Sequence, residues 1–98
     1  TQKIMVDMSH GNSQKQFKKQ LIVNKDISDQ IASGDQSIFG VMIESNLEEG
    51  NQKIDSLKNL KYGQSVTDAC VSWKDTEVML KLLAKAVDAR REKLKRSA

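Results

Sequence analysis

At 98 residues, 38% hydrophobic and 30% charged, the sequence has too much apolar content for a disordered chain and too little for a membrane protein. It reads as one small domain, residues 1–98, expected to be soluble and to have no membrane partner, since no apolar run approaches the roughly 20 residues of a spanning helix. The net charge of +3 is too small to assign a polyanionic partner before its location is known.

The first element in chain order is a strand over Ile4 to Met8, apolar except for Asp7. An apolar run without clean alternation fits a parallel strand covered on both faces. It ends in Ser9-His10, and Gly11-Asn12-Ser13 then opens a segment of helical period. In α/β proteins the C-terminal ends of strands, with the loops that follow them, are where ligands and catalytic side chains collect. Asn12 or Ser13 offers a helix cap, and the periodicity predicts a helix from about Gln14 to Ser33. Phe17, Leu21, Ile27 and Ile31 form its buried stripe, Lys15, Lys18, Lys25 and Asp29 lie largely off it, and Gly34 supplies a left-handed stop.

A second strand, Ile38 to Ile43, is the most hydrophobic piece and is expected to be a buried core strand, with Gly40 marking close packing or a kink. Glu44 follows it, 34 residues after His10, about one strand-helix-strand unit. Ser45 to Gln64 reads as a polar loop anchored by Leu57, Leu60 and Tyr62, and Ser65 to Trp73 as a short β-like piece carrying Asp68 and Cys70. With one cysteine there is no disulfide framework, which fits a reducing compartment; a cytoplasmic protein is expected.

The last element is a helix for which Asp75 is the expected cap, with Met79, Leu82, Leu83, Ala86 and Val87 on its apolar face. Lys85 to Ala98 carries +4, leaving −1 for the rest. Cations suit a helix C-terminus, and no aromatics interleave them as a stacking platform for nucleic acid requires, so the tail reads as a solvated helix end. The other reading of this helix is a non-catalytic basic interaction module.

Strand and helix alternate, so the fold class is α/β with parallel strands. His10, Glu44 and Asp68 together make a mixed nitrogen and oxygen set suited to a divalent cation, and ligand type does not choose among manganese, iron, cobalt and zinc. On spacing alone other roles stay open: a hydrogen-bonded core or cap histidine for His10, a turn residue for Asp68, and either a basic partner or a ligand for Asp7. An ionised Glu44 after IFGVMI needs a partner if buried.

The segments IMVDMSHGNSQKQFKKQ, FGVMIESNLEEGNQ and YGQSVTDACVSWKDTE, in this order and at these separations, closely resemble the C-terminal part of the type I 3-deoxy-D-arabino-heptulosonate-7-phosphate (DAHP) synthases. The resemblance implies the seventh and eighth strand-helix units of a (β/α)8 TIM barrel. It also implies a transferase that condenses phosphoenolpyruvate with erythrose 4-phosphate at the first step of the shikimate pathway to aromatic amino acids. The family's divalent metal would be held by His10, Glu44 and Asp68, through which these residues would be catalytic. The family's fourth ligand, a Cys in a GPCS-like motif, and its KPRT phosphate-binding motif are absent from a sequence without proline. Most substrate-binding residues are therefore missing, and the 98 residues are expected to be an inactive fragment of an enzyme that is a homo-oligomer when whole. A related metal-dependent 3-deoxy-sugar-acid phosphate synthase on the same barrel is the remaining alternative.

Overall fold

The computed structural model describes residues 2–14 and 16–97; Lys15, expected off the buried stripe, lies outside them. Two strands, β1 (Ile4–Asp7) and β2 (Ile38–Met42), pair in parallel, and the helix between them, α1 (Lys19–Ala32), packs against the final helix, α2 (Trp73–Ser97). The α/β class with parallel strands is thus observed. The radius of gyration is 16.1 Å, against about 13 Å for a compact domain of 100 residues. The excess reflects a long α2 and a core lying on one side of a two-stranded sheet.

That core is Met8, Ile27, Ile31, Ile38, Val71, Met79, Leu83 and Ala86, with Phe17, Leu21 and Val87 packed partly buried against it. The predicted apolar stripes of both helices therefore meet the sheet. The other side of the sheet leaves Met5 64% and Phe39 67% exposed. Strand β2 is thus not wholly buried as expected: Ile38 alone is, because helices cover one face only. At Gly40 the expectation of close packing holds, since a Cβ there would stand 3.4 Å from Met5 Cγ, beside a break in register between Ile4 and Met5.

Helix α1 begins later than its periodicity suggested. The Ser13 hydroxyl donates to the carbonyls of Ser9 (2.8 Å) and His10 (3.3 Å), and the Asn12 amide donates to that of Asp7 (2.8 Å). These side chains close the turn after β1 into a single 3₁₀ turn, Gly11–Ser13, and do not cap the helix. Gln14 then takes a left-handed conformation (φ 55°) that breaks the helical path before α1. The other end matches expectation: Gly34, at φ 113°, terminates α1.

The segment after β2 is held by amide side chains; of the anticipated anchors Leu57 is 82% and Tyr62 88% exposed, while Leu60 is half-buried. Gln52 donates to the carbonyls of Lys61 (2.8 Å) and Gln64 (3.0 Å) and accepts from the Lys61 N–H (2.9 Å). The expected β-like piece forms single bridging pairs only, Asn51 with Ser65, Gly50 with Cys70 and Ser45 with Val71. Ser72, not Asp75, caps α2, its hydroxyl accepting from the Asp75 N–H (3.1 Å). Asp75 occupies the first turn, where its charge suits the helix dipole.

The basic tail is not simply solvated. Arg90 donates to the carbonyls of Asp35 (2.9 Å) and Ile38 (2.8 Å), and Lys93 to that of Ser33 (2.9 Å), so α2 clamps the junction between α1 and β2. Within that junction Asp35 accepts from the N–H (2.8 Å) and hydroxyl (2.6 Å) of Ser37. These bonds, with nearby Arg90, hold its carboxyl below the usual range. A carboxyl lowered in the folded state stabilises above its unfolded pKa and loses that contribution as pH falls through the folded value. Asp35→Ala should therefore lower the melting temperature near neutral pH, with the gap from the parent narrowing on acidification, as followed by circular dichroism.

Candidate metal centre

The parallel pairing places the two strand ends side by side. Met8 N–H donates to the Met42 carbonyl at 2.9 Å, the last rung, and the chain turns out of the sheet into His10 on one strand and Glu44 on the other. A third backbone segment reaches them from the C-terminal side: Val71 N–H donates to the Glu44 carbonyl (3.1 Å) and Asn46 N–H to the Val71 carbonyl (3.0 Å). This brings in Asp68, three residues before Val71. The three residues selected from sequence thus converge although 58 positions separate the outermost two.

His10 Nε2 lies 3.1 Å from Glu44 Oε1 and 3.4 Å from Asp68 Oδ2, and one donor atom from each residue falls within 4.8 Å of the others. They line a pocket of about 150 Å³ together with Ser9, Asn51 and Ala69. Glu44 is the most sheltered of the three, while the Asp68 side chain is 63% exposed.

The orientation of the imidazole is set from behind. Asp7 Oδ2 lies 2.7 Å from His10 Nδ1, and an ionised carboxylate can only accept, so Nδ1 carries the proton. The other Asp7 oxygen accepts from the Ser9 N–H (2.8 Å), the Ser9 hydroxyl (2.7 Å) and, at 3.3 Å, the His10 N–H. The hydrogen bond from His10, followed by that from Ser9, pulls the Asp7 carboxyl down to about 2. Reciprocally the Asp7 bond raises His10 above the ordinary imidazole value, with Asp68 and Glu44 adding to it. Asp7 thus pairs with the imidazole three residues on, within its own turn, and not with a basic side chain from a neighbouring strand. The signal was present as Asp-x-x-His at a strand end, a spacing that acquires meaning only once the turn brings the side chains together.

In the neutral ring the Nε2 lone pair faces two carboxylates, an arrangement that calls for a positive charge between them. A divalent cation meets that need, and the donor set fits one. Ligand atoms about 2.1 Å from a shared ion stand roughly 3.0–3.4 Å apart at octahedral to tetrahedral angles, close to the distances from His10 Nε2 observed here. The carboxylate behind the histidine is the usual outer partner of a metal-bound imidazole. Cys70 stands apart from this set: it is buried, its Sγ is directed to the Asp68 carbonyl (3.5 Å), and burial pushes its thiol up.

A parallel α/β fold with an imidazole and two carboxylates gathered where its strands end defines a class of site suited to metal-assisted chemistry on small molecules. Residues 1–81 match the DAHP synthetase I family, and the chain belongs to that family. It is 56% identical over 88 residues to the Phe-sensitive phospho-2-dehydro-3-deoxyheptonate aldolase of Escherichia coli strain K12, covering 90% of this chain and 25% of that protein. It is 54% identical over 97 residues to the phenylalanine-inhibited phospho-2-dehydro-3-deoxyheptonate aldolase of Saccharomyces cerevisiae, covering 96% and 26%. Among solved structures, the phospho-2-dehydro-3-deoxyheptonate aldolase of Francisella tularensis SCHU S4 superposes with a TM-score of 0.85 at 57% identity, over 90% of this chain and 25% of that one. The chain spans about a quarter of the length of these relatives.

Asp7→Asn keeps the shape of the side chain but removes the charge that orients His10. In the full-length protein that carries these residues it should weaken divalent-cation affinity by roughly 10–100-fold, measured by isothermal titration with Mn²⁺.

Proposed function

We propose that these residues supply three of the metal ligands of a DAHP synthase, a transferase that condenses phosphoenolpyruvate with erythrose 4-phosphate. The observation that carries this reading is the meeting of His10 Nε2, Glu44 and Asp68 beside the ends of two parallel strands. Family membership and the names of the relatives, phospho-2-dehydro-3-deoxyheptonate aldolases, support the choice of reaction.

His10, Glu44 and Asp68 would hold a divalent ion, manganese, iron, cobalt or zinc, which when bound supplies Lewis acidity toward the aldehyde oxygen of the acceptor sugar. The residues of this chain prepare that site. Asp7 fixes the ring with its Nε2 lone pair toward the pocket, so no reorientation is required when a ligand arrives. Glu44 and Asp68 bring two negative charges that offset those of the cation. Ser9, buried beneath the pocket, holds the Asp7 carboxylate through both its N–H and its hydroxyl.

The chain is read as two strand-helix units of a (β/α)8 barrel, the seventh and eighth, within one catalytic domain. In support, a barrel of this kind takes about 250 residues and builds its site at the C-terminal ends of the strands. The exposed Met5 and Phe39, on a sheet of two strands, are what further strands would cover. Among the described residues no helix is long and apolar enough to cross a membrane.

Glu44→Gln in the full-length protein should lower metal content and turnover together; normal metal content with normal turnover would remove Glu44 from the ligand set. The same preparation should accept erythrose 4-phosphate in preference to arabinose 5-phosphate, and the reverse preference would favour the related 3-deoxy-octulosonate-phosphate synthases. Lacking the GPCS-like and KPRT motifs, the 98 residues alone should show no release of inorganic phosphate from the two substrates.

A further inference from the structure

Gln20 lies in the first turn of α1 and is wholly buried. Its Nε2 donates to the Glu44 carbonyl at 3.2 Å and its Oε1 accepts from the Glu44 N–H, also at 3.2 Å. A primary carboxamide carries a donor and an acceptor side by side, which lets one side chain satisfy both main-chain groups of a residue. Glu44 needs such a partner because it stands two residues past the end of β2 and outside the β1–β2 ladder. A further main-chain bond, from Val71 N–H to its carbonyl, ties it to the segment that carries Asp68.

The next buried amide on the helix provides the contrast. Asn24, one turn on, donates to the Met79 carbonyl of α2 (3.3 Å), and its Oδ1 has no hydrogen-bond partner among the described residues. Both amides join α1 to a neighbour, but only Gln20 grips a residue of the candidate metal centre.

We propose that Gln20 is a positioning residue for that centre: by clamping the Glu44 main chain from α1, it keeps the carboxylate within reach of His10 Nε2 and so sets cation affinity and coordination geometry. This rests on the reading of His10, Glu44 and Asp68 as ligands. Loss of the clamp takes away the side-chain acceptor of the part-buried Glu44 N–H, and the strand end relaxes toward whatever satisfies it.

The test uses the full-length protein loaded with Co²⁺, whose visible absorption reports the donor set. Gln20→Met removes both bonds at similar volume, Gln20→Glu keeps an acceptor for the Glu44 N–H but loses the donor, and Asn24→Leu is the control for burial in the same helix. Expected are a Co²⁺ affinity weaker by about tenfold or more and a shifted absorption band in Gln20→Met. A smaller change is expected in Gln20→Glu, and a parental Kd and band in Asn24→Leu despite a lowered Tm. Parental Kd and band in Gln20→Met overturn the proposal, as do equal losses in Asn24→Leu. Should Gln20→Met not fold, parental behaviour of Gln20→Glu overturns it; should neither fold while Asn24→Leu does, Gln20 is structural and the proposal fails. The ligand reading is checked separately: Co²⁺ binding that persists unchanged in Glu44→Gln refutes that reading, whatever the Gln20 variants do.

Discussion

The hydrogen bond from Met8 N–H to the Met42 carbonyl closes the parallel ladder, and the candidate metal centre depends on that pairing. A parallel pair delivers both strand ends to the same side of the sheet. Reversing a five-residue strand would carry its C-terminal end away by roughly 15 Å, beyond the reach of any side chain. A parallel connection in turn requires a crossover, here α1, and the packing of α1 on α2 and the sheet supplies the burial that makes the crossover stable. The distance between His10 and Glu44 is thus a consequence of where Ile27, Ile31, Met79 and Leu83 are buried, although none of these lines the pocket.

Three carboxylates, Asp7, Glu44 and Asp68, surround one imidazole, and like charges do not gather without compensation. For Asp7 the compensation is internal, since four donors from Ser9 and His10 converge on its two oxygens and keep it ionised well into acid. For Glu44 and Asp68 the facing group is His10 Nε2, at 3.1 and 3.4 Å, and in the proposed enzyme a cation would sit among the three. The two carboxylate roles are therefore separable: one is saturated by protein donors and fixes geometry, and the others are left with open lone pairs toward the pocket.

Apolar periodicity was enough to place the helices and most of the core, because Ile27 with Ile31 and Met79 with Leu83 and Ala86 recur at helical spacing. Motif likeness selected His10, Glu44 and Asp68, and they converge. Buried polar groups were not legible. Gln20, Asn24 and Ser28 lie at successive four-residue steps on the buried side of α1, yet a polar residue at that spacing reads as solvent-facing until its partner is known. The partners of the two amides are main-chain groups of Glu44 and Met79, 24 and 55 positions away. The loop after β2 misleads for the same reason: Leu57 suggested an anchor by hydrophobicity, whereas Gln52 fastens the loop through three bonds to main-chain groups that composition cannot display.

The three candidate ligands rest on unequal supports, and this ranks them. His10 is held at its side chain by Asp7 and at its carbonyl by Ser13, directly beside a ladder rung. Glu44 lies past its strand but is bonded through its main chain to α1 and to Val71. Asp68 belongs to a segment joined to the rest by single bridging pairs and by the Asn51 amide at the Thr67 carbonyl (2.9 Å), and its side chain is the most exposed of the three. Backbone with few ladder bonds opens at lower free energy than a strand held in a ladder. A ring held by Asp7 and a glutamate clamped through its main chain therefore frame the pocket, and Asp68, the most exposed of the three candidate ligands, rests on the support with the fewest ladder bonds.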